Sequence, residues 1–224
     1  TSIILGAAYD STESDSRRVK NGVKAEASGE WGPGALNAGF GPTDFHRFTL
    51  KAAAYQPLFS VGQAGNPELN LFSAYLAGFA SFDYAGGDAI PLYVRQSFGG
   101  RDLRDSLGDC VRGYPSRSYD AALKTVANGE VRLVGPALFN TPWLVPIVYG
   151  FCDAGYYAGF PESSAKAEAS GTILSAGGGF ALDVLDFAYI GVSLGSKFPG
   201  SDALYAVYGE TDAFFFSVEF LLHF

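Results

Sequence analysis

Apolar and polar residues exchange places at every second position over most of this chain. That is the period of a β-strand, whose successive side chains point to opposite faces. The C-terminus shows it most clearly: Phe214, Phe216, Val218, Phe220, Leu222 and Phe224 all fall on one face. Within 124–134, Asn128, Glu130 and Arg132 share a face, and Gly129, Val131 and Leu133 share the other. Within 45–58, Arg47, Thr49 and Lys51 oppose Phe48, Leu50, Ala52 and Ala54, and within 19–31, Lys24, Glu26, Ser28 and Glu30 oppose Val23, Ala25 and Ala27. Ala188, Ile190, Val192 and Leu194 make a fifth apolar face. A helical period of 3.6 is not sustained in these segments, so the chain reads as all-β.

Strand candidates lie at 3–10, 19–31, 45–58, 69–82, 124–134, 143–156, 173–185, 187–197 and 213–224. A charged turn, 11–18, follows the first, and Pro33, Gly34, Gly39, Gly41 and Pro42 mark a later connection. Residues 83–121 lack clean periodicity. A connection that long inside a compact domain is either functional or a sign of a misplaced element.

Soluble sandwiches also alternate. Three features favour a transmembrane antiparallel up-and-down β-barrel, or its C-terminal part, with about 8–10 strands in this chain. Several strands set charged residues against small or apolar ones, as a polar interior within lipid requires. Short connections, as around Asp186, alternate with long ones. The last strand carries apolar residues at every second position up to a terminal aromatic. No run reaches ~18 apolar residues, so no transmembrane helix is expected, but a barrel strand needs only ~9–11. A net charge of −8 argues against a nucleic-acid partner. The chain begins without a signal peptide and contains no Met, which suggests a processed chain or part of a longer one.

The ordered motifs resemble those of the bacterial surface antigen family, the BamA/TamA/TpsB-type outer-membrane assembly and secretion proteins. Val111-Arg112-Gly113-Tyr114 resembles the family's VRGY/VRGF loop signature, preceded by Phe98-Gly99-Gly100 and a longer spacer than usual. Gly6–Asp10 with Lys20-Asn21-Gly22 resembles the family's hairpin without its proline, and Ala54-Tyr55-Gln56-Pro57-Leu58 resembles a strand ending in Y-x-P. Asn128–Leu133 resembles the strand N-x-E-x-R-x, and Phe151-Cys152-Asp153-Ala154-Gly155 fits F-x-D-x-G. Phe216, Val218, Phe220, Leu222 and Phe224 resemble the C-terminal β-signal of outer-membrane proteins.

By this resemblance, residues 1–224 form a barrel domain with a long loop folded inward, and no POTRA module is present. Arg112 would dock on Glu130 and Asp153, which parity places on the inward faces of adjacent strands. A buried guanidinium must find such acceptors, because an unpaired desolvated charge is costly. Gly113 would allow the tight backbone approach and Tyr114 would pack on the wall. The same parity turns Cys152 outward while Cys110 lies on the loop, so a Cys110–Cys152 disulfide is not expected.

No catalytic residue, metal site or cofactor is expected. The Gly177-Gly178-Gly179 run lies in a strand pattern, where it would permit curvature or close packing. The acidic pairs Asp102/Asp105 and Asp10/Asp15 read as solvated loop faces. Nine segments conflict with the even count of an up-and-down barrel. The chain would therefore be a C-terminal portion or a split barrel, a short barrel of eight or ten strands with one segment misassigned (203–208 being the best candidate for an extra strand), or a piece of a larger protein. The resemblance implies a non-enzymatic outer-membrane protein assembly or insertion barrel of a Gram-negative-type bacterium, working through a lateral seam at the last strand. Its partners would be the lipid bilayer, unfolded outer-membrane or secreted clients, and other barrel or periplasmic subunits. A TpsB-type secretion pore, or the membrane-anchoring barrel of a larger (for example patatin-like) protein, is the alternative.

Overall fold

The computed structural model describes all residues except 16–17, 38–43, 64–65, 101–102, 105–106, 117–118, 141–142, 160–169, 186, 200–211 and 223–224. Nine long strands carry the fold: β1 (Ile3–Asp10), β2 (Lys20–Gly32), β3 (Phe45–Gln63), β4 (Asn66–Gly86), β5 (Leu123–Val134), β6 (Leu144–Ala158), β7 (Ser170–Val184), β8 (Ala188–Pro199) and β9 (Phe214–Leu222). They lie side by side in chain order, each antiparallel to the next. A two-residue rung, Glu13–Ser14, pairs with the start of β2. The chain is thus all-β, with one antiparallel up-and-down sheet, and no described helix is long and apolar enough to cross a membrane.

The β3–β4 hairpin is longer than the alternation predicts. Its register shifts between Pro57 and Phe59 and again near Gln63. Pro57 has no N–H to donate, and a bulge there displaces the side-chain parity by one. The sequence pattern therefore breaks at 58 although the ladder continues. The connection expected at 83–121 narrows to 87–122 and is not structureless. It holds a single helical turn (Leu92–Arg95), a small ladder between Leu103–Arg104 and Leu107–Gly108, and a bridge from Phe98 to Tyr119. Connections alternate in length: 87–122 lies at one end of the sheet, whereas β7 and β8 are joined at the other by residues 185–187 alone.

Cross-strand register divides the charges without exception. Among the described side chains of the nine strands, every Asp, Glu, Lys and Arg lies on one face, from Lys24 and Glu26 on β2, through Arg47, Asp83, Glu130 and Asp153, to Glu219 on β9. The opposite face exposes Phe48, Leu50, Phe82, Val131, Leu133, Val148, Phe180, Val192 and Leu194. The charged face is the inner one. The sheet wraps far enough that Arg18, in the β1–β2 connection, lies 3.6 Å from Asp183 of β7. Val19 beside it joins a buried cluster with Tyr75, Val134, Ile147, Tyr149, Phe151 and Tyr189. Two glycines of the β7 run make room for this cluster. A Cβ on Gly179 would stand 2.3 Å from the Tyr149 ring, and one on Gly177 2.7 Å from that of Phe151.

Within the described residues β1 pairs only with β2 and β9 only with β8, so both edges carry free backbone groups. Nine antiparallel strands leave β1 and β9 running in the same direction. Residues 203–208 lie outside the described residues; β8 and β9 pair directly. Cys110 and Cys152 are not joined by a disulfide; Cys110 is buried and Cys152 is exposed on the outer face.

Candidate functional site

Strand register builds the receiving half of the site. Glu130 stands opposite Phe151 and Asn128 opposite Asp153, so Glu130 and Asp153 are diagonal neighbours on the inner faces of β5 and β6. The loop 87–122 supplies the other half. Arg112 Nη1 donates to Glu130 Oε1 at 2.6 Å, while Nη2 and Nε donate to the two oxygens of Asp153, each at 2.7 Å. The Arg112 backbone N–H adds a fourth bond, 3.1 Å to Asp153 Oδ2. Beneath the guanidinium lies the Phe151 ring, its centroid 3.7 Å from the guanidinium carbon. A planar fork with five donors suits this bidentate grip on one acid and single bond to the next.

The network continues along β5. Arg132 Nε donates to the second oxygen of Glu130 at 2.7 Å, and its Nη1 donates to the Tyr75 hydroxyl at 3.1 Å. Two guanidinium groups thus balance two carboxylates. All four residues are at least 96% buried, Arg112 being the most exposed at 4%. Burial by itself would push the Arg112 guanidinium toward the neutral form; the hydrogen bonds and charge of Asp153, with the charge of Glu130, outweigh it and raise its pKa.

The neighbouring motif residues fix the loop's path. Gly113 has φ +88°, a left-handed conformation that favours glycine. Tyr114 donates its hydroxyl to the Leu174 carbonyl at 3.0 Å and packs with Val111, Phe98, Tyr119, Tyr157 and Ile173. The sequence reading did not single out the other anchors. Asn128 donates to the Cys110 carbonyl at 2.9 Å and accepts from the Gly108 N–H at 3.3 Å. Lys51 is paired with Asp109, and Lys124 donates to the Val94 carbonyl at 2.7 Å. Alternation groups Asn128 with Glu130 and Arg132, and Lys51 with Arg47, but the loop carbonyls that Asn128 and Lys124 bind leave no mark in a sequence.

Other sequence candidates fall elsewhere. Phe216, Val218 and Phe220 project outward from β9 and are more than 60% exposed; the Leu222 side chain and Phe224 lie outside the described residues. Asp10 and Asp15 serve their own turn: Asp10 accepts from the backbone and hydroxyl of Thr12, and Asp15 accepts from the Val19 N–H. Asp102 and Asp105 lie outside the described residues. Among the described residues no group of three or more His, Cys, Asp or Glu side chains is placed to hold a metal ion. What the arrangement does chemically is hold a long loop inside a sheet by a desolvated ion-pair network. Compared with protein-family models, curated proteins and solved structures, the chain matches none.

Removing one partner of a buried pair strands the other. Arg112→Ala is expected to destabilise the folded chain by about 3–5 kcal/mol. Arg112→Lys keeps the charge but not the fork and falls between. Asp153→Asn, which touches three of the four Arg112 bonds, costs more than Glu130→Gln. Urea titration in detergent, followed through Trp31 and Trp143 fluorescence, checks the order.

Proposed function

We propose that the chain is the barrel-forming portion of an outer-membrane protein assembly or insertion machine, integral to the outer membrane of a Gram-negative-type bacterium and non-enzymatic. The observation that carries this reading is the Val111–Tyr114 loop bound through Arg112 to Glu130 and Asp153, inside a sheet whose outer face is free of charge among the described strand residues. The outer face supports the membrane half of the proposal. A soluble monomer rarely exposes apolar area on this scale, whereas a lipid-facing belt requires it. The resemblance to the surface antigen signature supports the assembly half.

In this reading the free edge of β9 offers unpaired N–H and C=O groups to a client strand, which adds to the sheet by β-augmentation. The docked loop keeps the remaining wall in shape meanwhile. The secretion-pore alternative requires cargo to pass through the interior. The loop's anchors to β3, β5 and β6 and the aromatic cluster beneath it occupy that route, and this favours lateral assembly over transit.

Two outcomes are expected. Val131→Arg, at the middle of the outer face of β5, costs about 2–4 kcal/mol if that face meets lipid and within about 0.5 kcal/mol if it meets water; unfolding of the vesicle-reconstituted chain measures which. Depleting the protein in its own cells lowers several unrelated outer-membrane proteins together. Loss of a single exported protein would favour the secretion pore, and unchanged membrane composition would refute the assembly role.

A further inference from the structure

We infer that Phe215 is a positioning residue that ties the docked loop to the free edge strand, so that the grip on Arg112 controls how firmly β9 is held. Phe215 points inward from β9, opposite in parity to the exposed Phe214 and Phe216. Its ring sits in a slot with three walls from three different parts of the chain. The first is the loop tip: a Cβ on Gly113 would lie 2.3 Å from the ring. The second is β8, where a Cβ on Gly195 would lie 2.8 Å away. The third is Phe151 of β6, with ring centroids 6.1 Å apart at 46°.

Phe151 is also the ring on which the Arg112 guanidinium stacks. A contact chain therefore runs from the acids through Arg112 and Phe151 to Phe215, and a second runs from Arg112 through its neighbour Gly113 to the same ring. β9 depends on such contacts more than an inner strand does. Its only ladder among the described residues is the nine pairs with β8. Undocking Arg112 removes the loop wall and uncovers the face of Phe151 on which the guanidinium stacks, so β9 keeps its ladder but the slot that orients its ring is loosened. An edge strand held by one ladder and little packing opens at low free energy.

The functional meaning of this coupling rests on the proposed role of the β9 edge, whereas the coupling itself rests on the contacts alone. Hydrogen exchange of the full chain, folded in detergent micelles and read by mass spectrometry over 214–222, separates the two, because it involves no client. Arg112→Lys is expected to speed exchange in β9 by about tenfold, and in a Phe215→Ala background to speed it by less than about twofold, because contacting residues are not additive. If Phe215→Ala does not fold, Phe215→Leu, which removes the ring, is read by the same criterion. Equal acceleration in both backgrounds, or none in either, overturns the inference and leaves the assembly proposal standing. A coupling found in a chain whose depletion changes no membrane protein would sink the assembly proposal and leave the inference intact.

Discussion

A guanidinium buried to 96% cannot be left without carboxylates, and in this chain that requirement organises the interior. Arg112 sits on a loop, while Glu130 and Asp153 sit on neighbouring strands. The pairing therefore fixes where the loop runs relative to the wall. Once Arg112 is seated, Gly113 and Tyr114 have one place to go, and the aromatic cluster around Phe98, Tyr119 and Tyr157 closes over the same stretch of β6. The ion pairs contribute less as net stabilisation than as a selector. An alternative loop path would take the guanidinium away from Asp153 and leave Glu130 with Arg132 alone.

The outer face obeys the complementary constraint. Each charged side chain among the described strand residues has been turned inward, so the outer surface keeps apolar and small residues with a few uncharged polar ones such as His46 and Gln56. Strand geometry couples the two faces, since moving one residue in register would exchange them. The polar network and the apolar belt are two consequences of one alternation. Cys152 illustrates this: its neighbours Phe151 and Asp153 serve the interior, and its own side chain is exposed on the outside.

Much of this was legible in the sequence because period two reports parity directly. Glu130 and Asp153 could be put on the same side as Asn128 and Arg132 without coordinates, and the strand-rich architecture followed from the same pattern. Three things were not legible. The bulge at Pro57 shifts parity within a continuous strand, so alternation ends where the ladder does not. The anchors Asn128 and Lys124 bind carbonyls of the loop, and a backbone carbonyl is the same whatever the residue. The inward turn of Phe215 was hidden by its neighbours, because Phe214 and Phe216 made the strand conspicuous for its outer face. The structured elements within 87–122, each only a few residues long, are too short to show any period.

The central claim is that Arg112 and the strand acids act as one unit. A double-mutant cycle on the folded chain, Arg112→Met, Asp153→Asn and both together, measures it by unfolding free energy in the same detergent. The account predicts that the double variant is less destabilised than the sum of the singles by about 1–3 kcal/mol, because the second substitution removes a partner already lost. Strict additivity of the two substitutions would contradict it.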